Sequence, residues 1–92
     1  MHTKPTQNDI IYGLLVEGKT ISTLEAMVQY GIGRLASRIC DLTNDYGVPI
    51  QSISEKNADG KGQHSRYYIS TADRAKLHGV ALRDVHSTLH DL

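Results

Sequence analysis

Apolar positions fall into three kinds of spacing along the chain, and each predicts a different element. Ile10, Ile11, Leu14 and Leu15 make one face of a first short helix, opened by Thr6 with Asp9 and closed at Gly18. From Ile21 to Gly47 the chain reads as two helices joined by a glycine turn. Ser22 with Glu25 three residues later is a capping-box pattern, in which each residue's side chain bonds the other's backbone N–H. Leu24, Met27 and Val28 follow at i, i+3 and i+4, predicting an apolar stripe on the helix so started. Gly31 stands where the chain leaves that helix, a place that calls for positive φ and so for glycine. The next helix, residues 32–42, is expected to bury Ile32, Leu35, Ala36, Ile39 and Leu42. Its opposite side carries Arg34, Ser37, Arg38 and Asp41.

After Gly47 the period changes. Residues 48–54 read as a strand with Pro49 near its beginning, where strands tolerate proline. Ile50 and Ile53 break strict alternation, which predicts a bulge or an early end. Residues 55–63 are polar, with Asp-Gly and a lysine between glycines, predicting a hairpin tip. Residues 64–69 return as a second strand, with Tyr67 and Ile69 on one face and Arg66 and Tyr68 on the other. Lys19 to Ile21 is too short for more than a one-bond strand. Ser70 and Thr71, with Asp73 as the acid of the first turn, open a last helix interrupted at Gly79. Beyond it Leu82, Val85, Leu89 and Leu92 make a short heptad-like seam. The expected fold is mainly α with a small β-hairpin, in the α+β class. It is a winged helix-turn-helix of three helices and a two-stranded wing over residues 6–70, with a C-terminal helical extension over residues 71–92.

Composition narrows this picture. The chain has 92 residues, 39% of them apolar, with no Trp and no Phe, so the core must be aliphatic with some of the five Tyr. No apolar run approaches the roughly 20 residues that cross a bilayer. The start, MHTKPTQND, lacks the apolar stretch of a secretory signal. Cys40 is alone and cannot form an internal disulfide; it reads as a small buried hydrophobe. These features predict no membrane partner and a reduced, cytoplasmic setting. Ten basic residues balance ten acidic ones, which counts against a strong non-specific polyanion binder. Local patches can still bind DNA.

A helix-turn-helix places its second helix in a DNA major groove. On that reading Arg34, Ser37, Arg38 and Asp41 face double-stranded DNA, with the arginines on guanine edges or phosphates. The plainer reading pairs Arg38 with Asp41. Lys56, Lys61, His64 and Arg66 cluster in the wing, residues 55–64, where they would track phosphate; an ordinary solvated loop also carries such residues, and Glu55 and Asp59 dilute the patch. Ser22 and Thr23 sit where a helix start can donate to phosphate, although capping alone explains Ser22. His86 and His90 have metal-site spacing but no third ligand, so no metal and no cofactor are expected. No nucleophile with a base, no paired catalytic carboxylates and no phosphate-cradling glycine loop appears, which argues against an enzyme. Leu82, Val85, Leu89 and Leu92 are candidates for a homodimer interface across a two-fold axis, the alternative being that they fold back onto the first helix.

One stretch carries a family resemblance. Ile21, Ser22, Leu24, Glu25, Ala26, Tyr30, Gly31, Arg34, Leu35, Ala36, Arg38, Ile39, Asp41, Leu42 and Gly47 stand in the order and spacing seen in short phage and prophage winged helix-turn-helix domains. The chain resembles that family over about residues 7–69. The resemblance implies a winged-helix fold and a DNA-binding role, as a phage or prophage transcriptional regulator or DNA-transaction factor in a bacterial host. The rival expectation is a phage-encoded winged helix that binds and inhibits a host protein. Zero net charge and Asp41 favour the rival; the two arginines and the basic wing favour DNA.

Overall fold

Side-chain caps start three of the helices. The computed structural model describes residues 6–90. Helix α1 (Gln7–Val16) opens on a capping box in which the Thr6 hydroxyl accepts from the Asp9 N–H and the Asp9 carboxylate accepts from the Thr6 N–H, each at 3.1 Å. Helix α2 (Thr23–Tyr30) opens on the box expected at Ser22 and Glu25, with bonds of 3.4 and 3.1 Å. Helix α3 (Leu35–Tyr46) has Arg34 at its cap and no side chain closing it. Helix α4 (Thr71–Leu77) begins with the Ser70 hydroxyl accepting from the Asp73 N–H at 3.3 Å. A short 3-10 turn (Leu82–Asp84) leads into α5 (Val85–His90).

The sheet has three antiparallel strands rather than two. Strand β1 (Ile21–Ser22), at the end of the segment where at most a one-bond strand is expected, pairs with β3 (Gln63–Ile69), which lies between it and β2 (Ile50–Lys56). Pairing of β2 with β3 runs from Ile50 opposite Ile69 to Lys56 opposite Gln63 without a skipped residue, so the expected bulge is absent. Ile53 breaks the apolar alternation because it lies on the outer face opposite Arg66, 49% exposed. Glu55 and Lys56 belong to the strand, and the tip is residues 57–62, closed by Asn57 donating to the Lys61 carbonyl at 2.7 Å.

The core draws on every helix. Ile11 and Leu15 of α1, Ala26 of α2, Leu35, Ile39 and Leu42 of α3, Ile69 of β3 and Leu77 of α4 are buried together with Ile21, Ile32 and Val48. Ile32 is buried in the turn ahead of α3, not within the helix. Gly31, at φ 67, releases the chain from α2, and the Ile32 N–H reaches back to the Ala26 carbonyl at 3.0 Å. Ala36 and Cys40, expected inside, are exposed, since both lie away from the Leu35–Ile39–Leu42 stripe. Tyr12 joins the core instead of Ile10, with its hydroxyl donating to the Val80 carbonyl at 2.8 Å.

Of two apolar patterns, one is left uncovered and the other follows the fold-back alternative. The α2 stripe points into solvent: Leu24 is 69%, Met27 52% and Val28 73% exposed, and Ala26 is the buried residue of that helix. The C-terminal seam turns inward. Leu82 and Val85 are buried in the same core, and Leu89 packs against it. Leu82 and Val85 are thus covered by the chain's own core, in keeping with the fold-back alternative, with the Tyr12–Val80 bond tying the segment before them to α1. Leu92, Met1 to Pro5 and the His90 side chain lie outside the described residues.

If residues 71–90 complete the core, Leu77→Ala will destabilise the chain by about 2–5 kcal/mol in a urea titration. A detachable extension would lose less than about 0.5 kcal/mol.

Candidate nucleic-acid interface

The buried stripe of α3 fixes which way its other residues face. With Leu35, Ile39 and Leu42 inside, the helical period sets Ser37, Cys40, Asp41 and Asn44 on the far side. Ser37, Cys40 and Asn44 are exposed, and the Asn44 amide donates to the Cys40 sulfur at 3.0 Å. Arg38 lies on the flank. Its side chain is 35% exposed and pairs with Asp41 at 3.3 Å, the plainer of the two expectations for it. A partly exposed i,i+3 pair of this kind contributes about 0.3–0.5 kcal/mol. Arg34 is not on α3 at all. It is the cap residue, at φ −128 and ψ 60, exposed and making no cap bond. The two arginines therefore do not form one row along a helix.

Asn44 was missed by the sequence reading. Its spacing of seven from Ser37 is the signal that places both on one face. An Asn side chain there can bond the adenine edge in a major groove through both its amide atoms.

The wing separates its basic residues into two kinds. Arg66 is a brace: Nε donates to Glu55, and Nη1 donates to Glu25 at 2.7 Å and to the Thr20 hydroxyl at 3.1 Å. Hydrogen bonding to Arg66 holds the Glu25 carboxyl below its ordinary value, and the two carboxylates, Glu25 foremost, raise the guanidinium above its own. His64 is occupied as well, with Nε2 at 3.3 Å from Glu55 and Nδ1 at 2.7 Å from the Asn57 side-chain oxygen. Neither Arg66 nor His64 is a free phosphate contact. Lys56 and Lys61 are exposed and meet no carboxylate within ion-pair distance among the described residues. Lys61 is at the tip, whereas Lys56 lines a groove between the hairpin and α2. Ser22 is 3% exposed and engaged in its cap, so it is closed to a ligand; Thr23 beside it is exposed.

Among the described residues no three of His, Cys, Asp and Glu come together to hold a metal ion, and no helix is long and apolar enough to cross a membrane.

Arg66→Ala should lower stability by about 1–2 kcal/mol, since it strands two partly buried carboxylates. In a domain of this size that is roughly 4–8 °C of melting temperature for each kcal/mol. The Glu25 contribution has a definite sign. Its folded value is depressed, so the stability it adds is present above the ordinary glutamate value of 4.5 and is lost as pH falls through the folded value. Melting curves taken from neutral to acid pH should fall less steeply in Glu25→Gln than in the native chain.

Comparison with known proteins agrees with the architecture. A family described as a winged helix-turn-helix domain matches residues 6–71, from the cap of α1 to the first residue of α4. No curated protein and no solved structure matched the chain. The match takes in the glycine turn, α3 and the whole wing, and stops short of most of α4 and of α5. The chain thus belongs to the winged helix-turn-helix domain family, whose fold points to DNA binding.

Proposed function

We propose that the chain binds double-stranded DNA with α3 in the major groove and the wing tip against the backbone. The observation that carries this reading is α3 itself, within a family match that spans it. It is the one helix of α1 to α4 that no side chain caps, and its outward face is polar and uncovered. An uncapped helix start carries free N–H groups and partial positive charge, which suit a phosphate, and exposed Arg34 stands at that point. Ser37 and Asn44 supply groups for base edges. Asp41 can accept from a cytosine amine, and its pairing with Arg38 removes the repulsion a lone carboxylate would feel from phosphates. Lys61 and the Thr23 hydroxyl reach the backbone on either side. The finer role is that of a phage or prophage transcriptional regulator or DNA-transaction factor in a host cytoplasm, as the sequence resemblance implies. A host-protein partner is the rival reading, and the exposed apolar face of α2 is what favours it.

With about two to four phosphates neutralised per chain, affinity should fall as roughly the second to fourth power of salt concentration. Fluorescence anisotropy on a duplex selected for binding and on a scrambled one separates the roles. Asn44→Ala should cost about 1–3 kcal/mol on the selected duplex and little on the scrambled one. Lys61→Ala should weaken both alike and lower the salt slope by about one. Absence of binding to either duplex at about 50 mM salt, where the electrostatic part is strong, would overturn the reading.

A further inference from the structure

The large apolar side chains left exposed among the described residues are Leu24, Met27, Val28, Tyr30 and Ile53, and four of these five belong to α2. A helix that buries only Ala26 yet keeps Leu24 and Val28 one turn apart in solvent has a face that lacks its cover. That face runs into a groove of about 790 Å³ between α2 and the hairpin. Leu24, Met27 and Ala58 supply its apolar part, and Lys56 and Asp59 its rim.

The charges of the groove select among occupants. Glu25 and Glu55, which also line it, are both taken by Arg66. Of the remaining rim groups, Lys56 is a cation without an ion-pair partner among the described residues, and the Asp59 carboxylate accepts from the Lys61 backbone N–H at 2.8 Å and meets no cation among them. Three carboxylates line the apolar floor, and of the three basic side chains there His64 and Arg66 are already held by Glu55 and Glu25, which makes a poor seat for nucleic acid. A strongly basic or strongly acidic protein segment would meet one complementary rim charge and one opposing one. A second copy of this chain meets neither difficulty. Across a two-fold axis an apolar centre lies on itself, and a rim with one free cation and one free anion sets Lys56 against the partner's Asp59 and Asp59 against the partner's Lys56.

We propose that two copies of the chain pair through the outer face of α2 and the groove beside it. The exposed patch is small against the roughly 1,200–2,000 Å² of a stable complex, so the pairing is weak in free solution. The pairing stands apart from the DNA reading. Where that reading holds, two copies on neighbouring sites raise each other's effective concentration; α3 and Lys61 stay free to bind, while Thr23, which lines the groove, is given up to the pairing. It uses a surface other than the C-terminal seam, of which Leu82 and Val85 are buried in the core.

Sedimentation of the intact chain without DNA tests the pairing, with concentrations raised to about 1 mM because the interface is small. The native chain should move from monomer to dimer over that range. Val28→Asp alters an exposed position and should keep the native melting temperature while leaving a monomer. Lys56→Asp and Asp59→Lys should each weaken the dimer about tenfold, since each sets like charges together, and the double variant should regain most of the loss. A native chain that stays monomeric throughout overturns the proposal, as does a Val28→Asp chain that still dimerises or a charge exchange without recovery. None of these outcomes depends on a duplex being present, so failure here and failure of DNA binding are told apart.

Discussion

One guanidinium shared by two carboxylates decides how the functional surface is laid out. Arg66 on the central strand bonds Glu25 at the first turn of α2 and Glu55 on the outer strand of the hairpin, and it reaches Thr20 in the connection from α1. Removing one member of such a cluster leaves partly buried charge behind, which costs more than the net gain from forming it. The consequences spread from there. Both Glu25 and Glu55 are engaged by Arg66, so among the described residues the charges around the hairpin tip that have no ion-pair partner are Lys56, Asp59 and Lys61. The start of α2 is fixed to the sheet, and the same fixed helix turns Leu24, Met27 and Val28 outward.

The second organising feature is the contrast among helix starts. Thr6, Ser22 and Ser70 each close their helix with a side-chain oxygen, and α2 is further anchored because Ser22 also belongs to β1. Helix α3 is held differently, by Ile32 buried in the turn before it and by the Leu35–Ile39–Leu42 stripe. Its position is thus set by packing and by backbone bonds at its two ends rather than by a side-chain cap, and its polar start and outer face are uncovered. Structure is secured at the capped helices, and the uncapped one faces outward.

What could be read from the sequence followed from rules of short range. The capping boxes, the glycine turn at Gly31, the buried side of α3 and the order of helices and hairpin all rest on neighbours within a few residues. The misses share a different cause. Spacing shows that Leu24, Met27 and Val28 share a face, but not whether another element covers it, and here none does. The same spacing in Leu82 and Val85 looked like a spare seam, and both are buried in the chain's own core. Ile53 looked like a register fault because its exposure on the outer face could not be anticipated. Arg66 looked like a wing contact because its partner Glu25 lies 41 residues away in sequence. Arg38 was the reverse case, since its bond to Asp41 is local and was anticipated as the plainer alternative.

The central claim is that α3 and the wing tip, and not the apolar face of α2, meet DNA. Amide resonances of the isotope-labelled intact chain, followed while a short duplex is added, test it most directly. The account predicts shifts over residues 33–44 and at Lys61, with α1 and α5 unchanged. Shifts confined to residues 24–28, with α3 unmoved, would contradict it.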